Sequence, residues 1–245
     1  MRSYKNCSLS PILADHDRMI QAKSKAKSKA TPVATPTPIT LLPTSSGITT
    51  VMVSLDVELK LLGDKKVKRS FLVPLAMNFR SLNRILHIGF GWTGAHPHQF
   101  TCNNGKQIID EGLLAFVCRQ SLDHDQREEL YDACSALLSD YIPPAKRFDY
   151  EYDFGDRWKH VIRVGKTRIV KGGPYAECTA GQGTTPPEDS GGPIGYAYKC
   201  EILSDPTHKG YEDTLQWQYD EVESIFDLEF INARLKRLNF TTEPA

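Results

Sequence analysis

The sequence predicts an α+β fold, a mixed or largely antiparallel sheet with packed helices, preceded by a disordered N-terminal tail. Three stretches carry that reading. Val51, Val53, Leu55, Val57, Leu59 and Leu61 repeat at period two, as a strand with one buried face requires. Between Phe79 and Phe90 the period changes, and Leu82, Ile85, Leu86 and Phe90 fall at helical spacing. From Phe148 to Val164 the chain reads FDYEYDFGDRWKHVIRV, and alternation returns on both sides of Gly155-Asp156. Phe148, Tyr150 and Tyr152 share one face of the outgoing strand; Trp158, His160, Ile162 and Val164 share one face of the returning one.

Residues 1–49 form the tail. QAKSKAKSKA is basic and poor in bulky side chains, and TPVATPTPITLLPTSSG alternates Pro and Thr as an extended linker does. Residues 1–50 carry seven Lys/Arg against two Asp/Glu, and the remainder carries 23 against 28, so a tail of net +5 precedes a body of net −5. An acidic body is poorly suited to extensive phosphate-backbone binding, which leaves nucleic acid to the tail. Six widely spaced cysteines, with no CxxC pair, read as reduced thiols in an intracellular protein, cytoplasmic or nuclear. No run approaches the length of a membrane span, so no membrane partner is expected.

The domain of residues 50–240 follows. Gly63-Asp64 turns the first strand into a partner from Val67 to Val73, closed by Pro74. The helix after it has Asn78 or Ser81 to start it and Gly89 or Gly91 to stop it. Trp92 fills the gap between helix end and sheet, and His98, Phe100 and Cys102 form a strand that ends at NNGK. Residues 108–119 are apolar without a period. A helix is predicted over 125–139, where Leu130, Ala133, Cys134, Leu137 and Leu138 make a stripe, and Pro143-Pro144 ends it. After the aromatic hairpin come a short strand about Ile169, a long irregular Gly/Pro segment from Lys171, a short helix over 196–204 and a polar connection through His208 and Tyr211. The chain closes on a helix or broken helix containing Val222, Ile225, Phe226, Phe230, Ile231 and Leu235.

Several of these stretches together resemble the plasmid pRiA4b ORF-3-like family, also called the MM3350-like domain. They are the second strand ending in LVP, SLNRILHIGFGWTGAHPHQF at 81–100, YEYDFGDRWKHVIRV at 150–164, PPEDSGGPIGY at 186–196 and FDLEFINARL at 226–235. The ordered set covers roughly residues 50–238. The resemblance implies an α+β domain that occurs in proteins associated with plasmids and mobile elements and in stand-alone proteins, and it implies no particular activity. Relatives often carry cysteines at the positions of Thr185 and Ser190 beside that of Cys178; this chain keeps only Cys178.

The candidate site residues follow from two polar motifs. The DFGD turn places Asp153, Asp156 and Arg157 beside Tyr152, Trp158 and His160, and the long loop adds Glu188 and Asp189. Rigid rings with flanking charges suit a protein or peptide surface, so the leading reading is a non-enzymatic recognition or scaffold domain without a cofactor. Aspartates beside Gly also serve simply as turn residues. The alternative is a metal-assisted hydrolase. His96 and His98 share strand parity, and His160 or Cys178 can join them as zinc ligands, while His160 acts as base with Asp153 or Asp156 fixing its tautomer. No GxSxG, GxxxxGK[ST] or GxGxxG is present to support a serine nucleophile or a nucleotide site. The third reading is a nucleic-acid-associated protein acting through its basic tail.

Overall fold

The period-two run becomes strand β1 (Thr49–Leu59), with Val53, Leu55, Val57 and Leu59 buried on one face. It pairs antiparallel with β2 (Val67–Pro74), in register from Met52↔Pro74 to Leu59↔Val67. The computed structural model describes residues 47–110, 130–142, 145–220 and 223–238. The basic tail lies outside the described residues, as do Val222 and most of the aperiodic stretch after Ile108.

Helix α1 (Phe79–Phe90) covers the sheet. Asn78 caps it by accepting the Ser81 N–H at 2.9 Å, and Gly91 ends it in left-handed backbone at φ 77°. Its buried face packs Phe79 edge-on against Phe100 and Phe148. Gly89 is required by proximity, because a Cβ there would lie 2.3 Å from the Phe71 ring.

The other strands are β3 (His98–Cys102), β4 (Gln107–Ile109), β5 (Leu130–Asp132), β6 (Arg147–Tyr152), β7 (Trp158–Lys171) and β8 (Glu177–Gln182). Among the described residues a single sheet runs in the order β5-β4-β3-β6-β7-β1-β2-β8. Every neighbouring pair is antiparallel except β4–β5, so the sheet is mixed and largely antiparallel. Phe100, Tyr150 and His160 lie in one cross-strand row, and His98, Tyr152 and Trp158 lie in the next.

Several elements differ from the sequence expectations. Residues 130–137 of the predicted 125–139 helix are the edge strand β5 and a turn, and only α2 (Leu138–Tyr141) is helical; residues 125–129 lie outside the described set. Asp132 supplies the reason: its carboxylate accepts the Cys134 N–H at 3.0 Å, a local bond that competes with helix. The strand about Ile169 is the far end of the 14-residue β7, kept extended by β1 along its length. The Gly/Pro segment contains β8, an edge strand whose Cys178 N–H and C=O are both bonded by the Asn232 amide, at 2.8 and 2.9 Å. Helix α3 (Gly192–Leu203) starts earlier than predicted, with Pro193 in its first turn. The polar connection holds α4 (Tyr211–Asp220), and the last helix is α5 (Leu228–Leu235), capped by Asp227. Among the described residues, no helix is long and apolar enough to cross a membrane.

Candidate functional site

Three loops meet at one end of the sheet. The β6–β7 turn begins and ends in left-handed backbone, with φ 61° at Asp153 and 58° at Arg157. Asp153 Oδ1 accepts the Gly155 N–H at 2.9 Å, the local bond by which aspartate offsets such a conformation. The Asp153 N–H donates to Pro97 O at 2.9 Å and fixes the turn to the loop that precedes β3.

The loop containing PPED is fastened to the same place. Trp92 donates its indole N–H to Pro186 O at 3.0 Å and stacks on Tyr152, with centroids 5.1 Å apart. Glu188 accepts the Thr93 N–H at 2.8 Å with one oxygen and the Tyr152 hydroxyl with the other. Asp156 accepts the Gly191 N–H at 3.1 Å. Gly192 lies so close that a Cβ would stand 2.0 Å from Asp156 O, and its φ of 67° also favours glycine. Burial, aided by the bond to Glu188, pushes the Tyr152 hydroxyl pKa up.

Tyr152, Asp156 and Glu188 thus hold the loops together, while Phe154, Arg157 and Asp189 face solvent. Arg157 Nε pairs with Glu151 at 3.1 Å. The half-buried His96 ring stands between two carboxylates, with Nδ1 3.7 Å from Asp153 Oδ2 and Nε2 3.5 Å from Asp189 Oδ1. His96, Asp153 and Asp189 each offer one donor atom within 4.8 Å of the others, an arrangement able to hold a metal ion. It is the only group of three or more such residues among those described.

The other residues of the zinc alternative lie elsewhere. His98 is buried among His87, Phe100 and Tyr150, with its Nε2 unpaired, and burial lowers its pKa to about 4. His160 is 1% exposed and ringed by Phe90, Trp92 and Tyr150. Its Nδ1 is 3.1 Å from Trp158 O, so that nitrogen carries the proton, and burial lowers its pKa to about 3. Cys178 sits on β8, where burial pushes its thiol up to about 11. Parity misleads for His96 because β3 begins at His98 and His96 belongs to the loop before it. Trp158 is fully buried behind the site, with its indole nitrogen unpaired.

Sequence reasoning missed three supports. Tyr150 donates to Asn83 at 2.6 Å and meets His87 Nε2 at 3.1 Å, both on the buried face of α1. Arg69, 1% exposed, donates to Gly89 O at 2.7 Å, to Gln182 O at 2.8 Å and to Thr185 Oγ1 at 3.2 Å, tying helix end, edge strand and PPED loop together. Burial lowers its pKa to about 10. The signal available for Arg69 was a charged residue at a core-parity position of β2, which pattern alone does not place.

Comparison with known proteins matches this architecture. The model of the family described as plasmid pRiA4b ORF-3-like protein matches residues 51–234. The uncharacterized protein y4hQ of Sinorhizobium fredii (strain NBRC 101917 / NGR234) is 32% identical over 166 residues, 65% of this chain and 79% of that protein. The crystal structure of MM3350, a protein of unknown function from Methanosarcina mazei Go1, superposes with a TM-score of 0.59 at 30% identity, covering 74% of this chain and 97% of that one. The fold, the ordered motifs and these matches agree: the chain belongs to the plasmid pRiA4b ORF-3-like protein family.

Proposed function

We propose that the domain is a non-enzymatic recognition or scaffold module that binds a protein or peptide segment where the DFGD hairpin meets the PPED loop. One observation carries the reading. The inward bonds of Tyr152, Asp156 and Glu188 fix the two loops, so Phe154, Arg157 and Asp189 stand on a rigid frame, an apolar ring beside charges of both signs. A surface ordered before contact loses little conformational entropy on binding. Tyr152, Asp153, Trp158 and His160 serve this face from behind, as its backing.

The hydrolase alternative is weaker on the same geometry. A general base needs access to its substrate, and the His160 ring is enclosed by aromatic side chains. Glu188 has both carboxylate oxygens engaged. Nucleic-acid association rests on the basic tail, outside the described residues.

A photo-crosslinking residue placed at Phe154, with the same residue at Ile169 on the far end of β7 as reference, tests the proposal. A discrete protein product from position 154, absent from position 169 and lost when Arg157→Ala and Asp189→Ala are combined, is the expected result. Identical products from both positions, or none specific to 154, overturn it.

A further inference from the structure

We infer that His96, Asp153 and Asp189 form a binding site for a divalent transition-metal ion, Zn2+ or Mn2+ in class, which staples the three loops together. This goes beyond the recognition proposal and does not depend on it. The three residues come from the loop before β3, the β6–β7 turn and the PPED loop, and their donor atoms lie within 4.8 Å of one another. Ligands bound at about 2.1 Å around a tetrahedral ion lie roughly 3.4 Å apart. One ion binds one ring nitrogen, so only one of the two imidazole–carboxylate separations, 3.7 Å at Nδ1 and 3.5 Å at Nε2, already has that spacing, and the other carboxylate closes in from within 4.8 Å.

The donor types narrow the ion. An imidazole nitrogen with two carboxylate oxygens suits Zn2+, Mn2+ or Fe2+, whereas Ca2+ and Mg2+ favour all-oxygen sets. The supporting bonds leave the needed atoms available. Asp153 is 8% exposed, and its Oδ1 is taken by the Gly155 N–H, so Oδ2 is the oxygen that faces His96. The His96 backbone N–H donates to the Tyr152 hydroxyl at 3.4 Å, and that hydroxyl is itself held by Glu188. Such outer contacts orient ligands and sharpen affinity. With three protein ligands the ion keeps open positions toward solvent, on the Asp189 side, whose side chain is 75% exposed.

The rival is a His96 ring packed between the two carboxylates without metal. Titration of the full chain, stripped with chelator, against MnCl2 alone separates the two, with CaCl2 as contrast and ZnCl2 for comparison. Manganese is the sharper probe because thiolates favour softer ions, which keeps the cysteines from imitating the site. A single Mn2+ is expected per chain, with a rise in Tm, and Asp153→Asn, Asp189→Asn and His96→Gln each weaken it by at least about tenfold. Asn at 153 retains an acceptor for the Gly155 N–H, and Asp189 is exposed, so both variants keep the fold; unchanged far-UV and near-UV circular dichroism checks this. No Mn2+ or Zn2+ binding at millimolar concentration, or Mn2+ binding undiminished in Asp153→Asn and Asp189→Asn, overturns the inference.

Discussion

His96 and His98 lie two residues apart in sequence and in opposite environments. His87, His98 and His160 are packed against aromatic rings in the core, and burial lowers the pKa of each well below that of a free imidazole. His96 is half-buried at the rim, between the carboxylates of Asp153 and Asp189. Tyr152 stands at the boundary, its ring against both His87 and His96. Residue type alone did not mark the site. A histidine surrounded by rings acts as a polar core residue that must stay neutral, while one flanked by carboxylates has the partners a metal site needs.

The steepest pH dependence belongs to the buried side. Burial lowers His87 and His160 to about 3 and His98 to about 4, all below the unfolded value, so folding favours the neutral rings. Their stabilisation is therefore fully present above about pH 6.5 and is lost as pH falls toward the folded value. One proton's linkage is about 1.4 kcal/mol per pH unit, so the three buried rings together give up to roughly 4 kcal/mol per unit between about pH 6 and 4.5. Glu58, lowered to about 2 by its bonds to Lys60 and Arg163, adds its own loss only below its unfolded value near 4.5. Urea midpoints at several pH values above about 5 then report chiefly the histidines, and His160→Phe lowers the slope by about a third whatever it does to stability at neutral pH. A flat profile from pH 7.5 to 4.5 means that these rings are not buried in neutral form.

A smaller effect locates the boundary. Removing the Tyr150 hydroxyl strands buried Asn83 Oδ1 and His87 Nε2, at a cost of about 2–3 kcal/mol. Tyr152→Phe releases Glu188, which is only half-buried and which water can reach, so it costs about 1 kcal/mol. Denaturant unfolding of both variants measures the contrast. Equal losses would move the dry–wet boundary outward past Tyr152.

Much of the fold was legible because local pattern and tertiary packing agree. Period two located β1 and β2, and Asn78 and Gly91 bound α1 where capping chemistry allows. The aromatic alternation also gave the buried faces of β6 and β7. Agreement failed at 130–137, where an apolar stripe at helical spacing was overridden by the Asp132 turn and pairing with β4. It failed again at β8, whose ECTAGQ has little strand character and is held by β2 on one side and Asn232 on the other. The DFGD and PPED motifs drew notice as polar clusters, but their mutual contacts span more than thirty residues and carry no period. Gly192 shows why. Its need is for room beside Asp156 O, a demand set by a distant turn.

The smallest stability effect gives the sharpest separation of the two histidine environments. The Asp189 side chain is 75% exposed, and Asn adopts left-handed backbone readily, so Asp189→Asn changes unfolding free energy by less than about 0.5 kcal/mol. It nonetheless removes one of the two carboxylates facing His96, and Mn2+ binding falls. His98→Gln, two positions beyond His96 but on the buried side, does the opposite. His98 is 3% exposed among rings, and a flexible amide in its place costs about 1–3 kcal/mol while Mn2+ binding stays unchanged. Measured together by denaturant unfolding and Mn2+ titration, the two variants form a crossed pair. If both change stability alike, or both change Mn2+ binding alike, the rim and the core are one coupled unit, and the distinction drawn between the histidines fails.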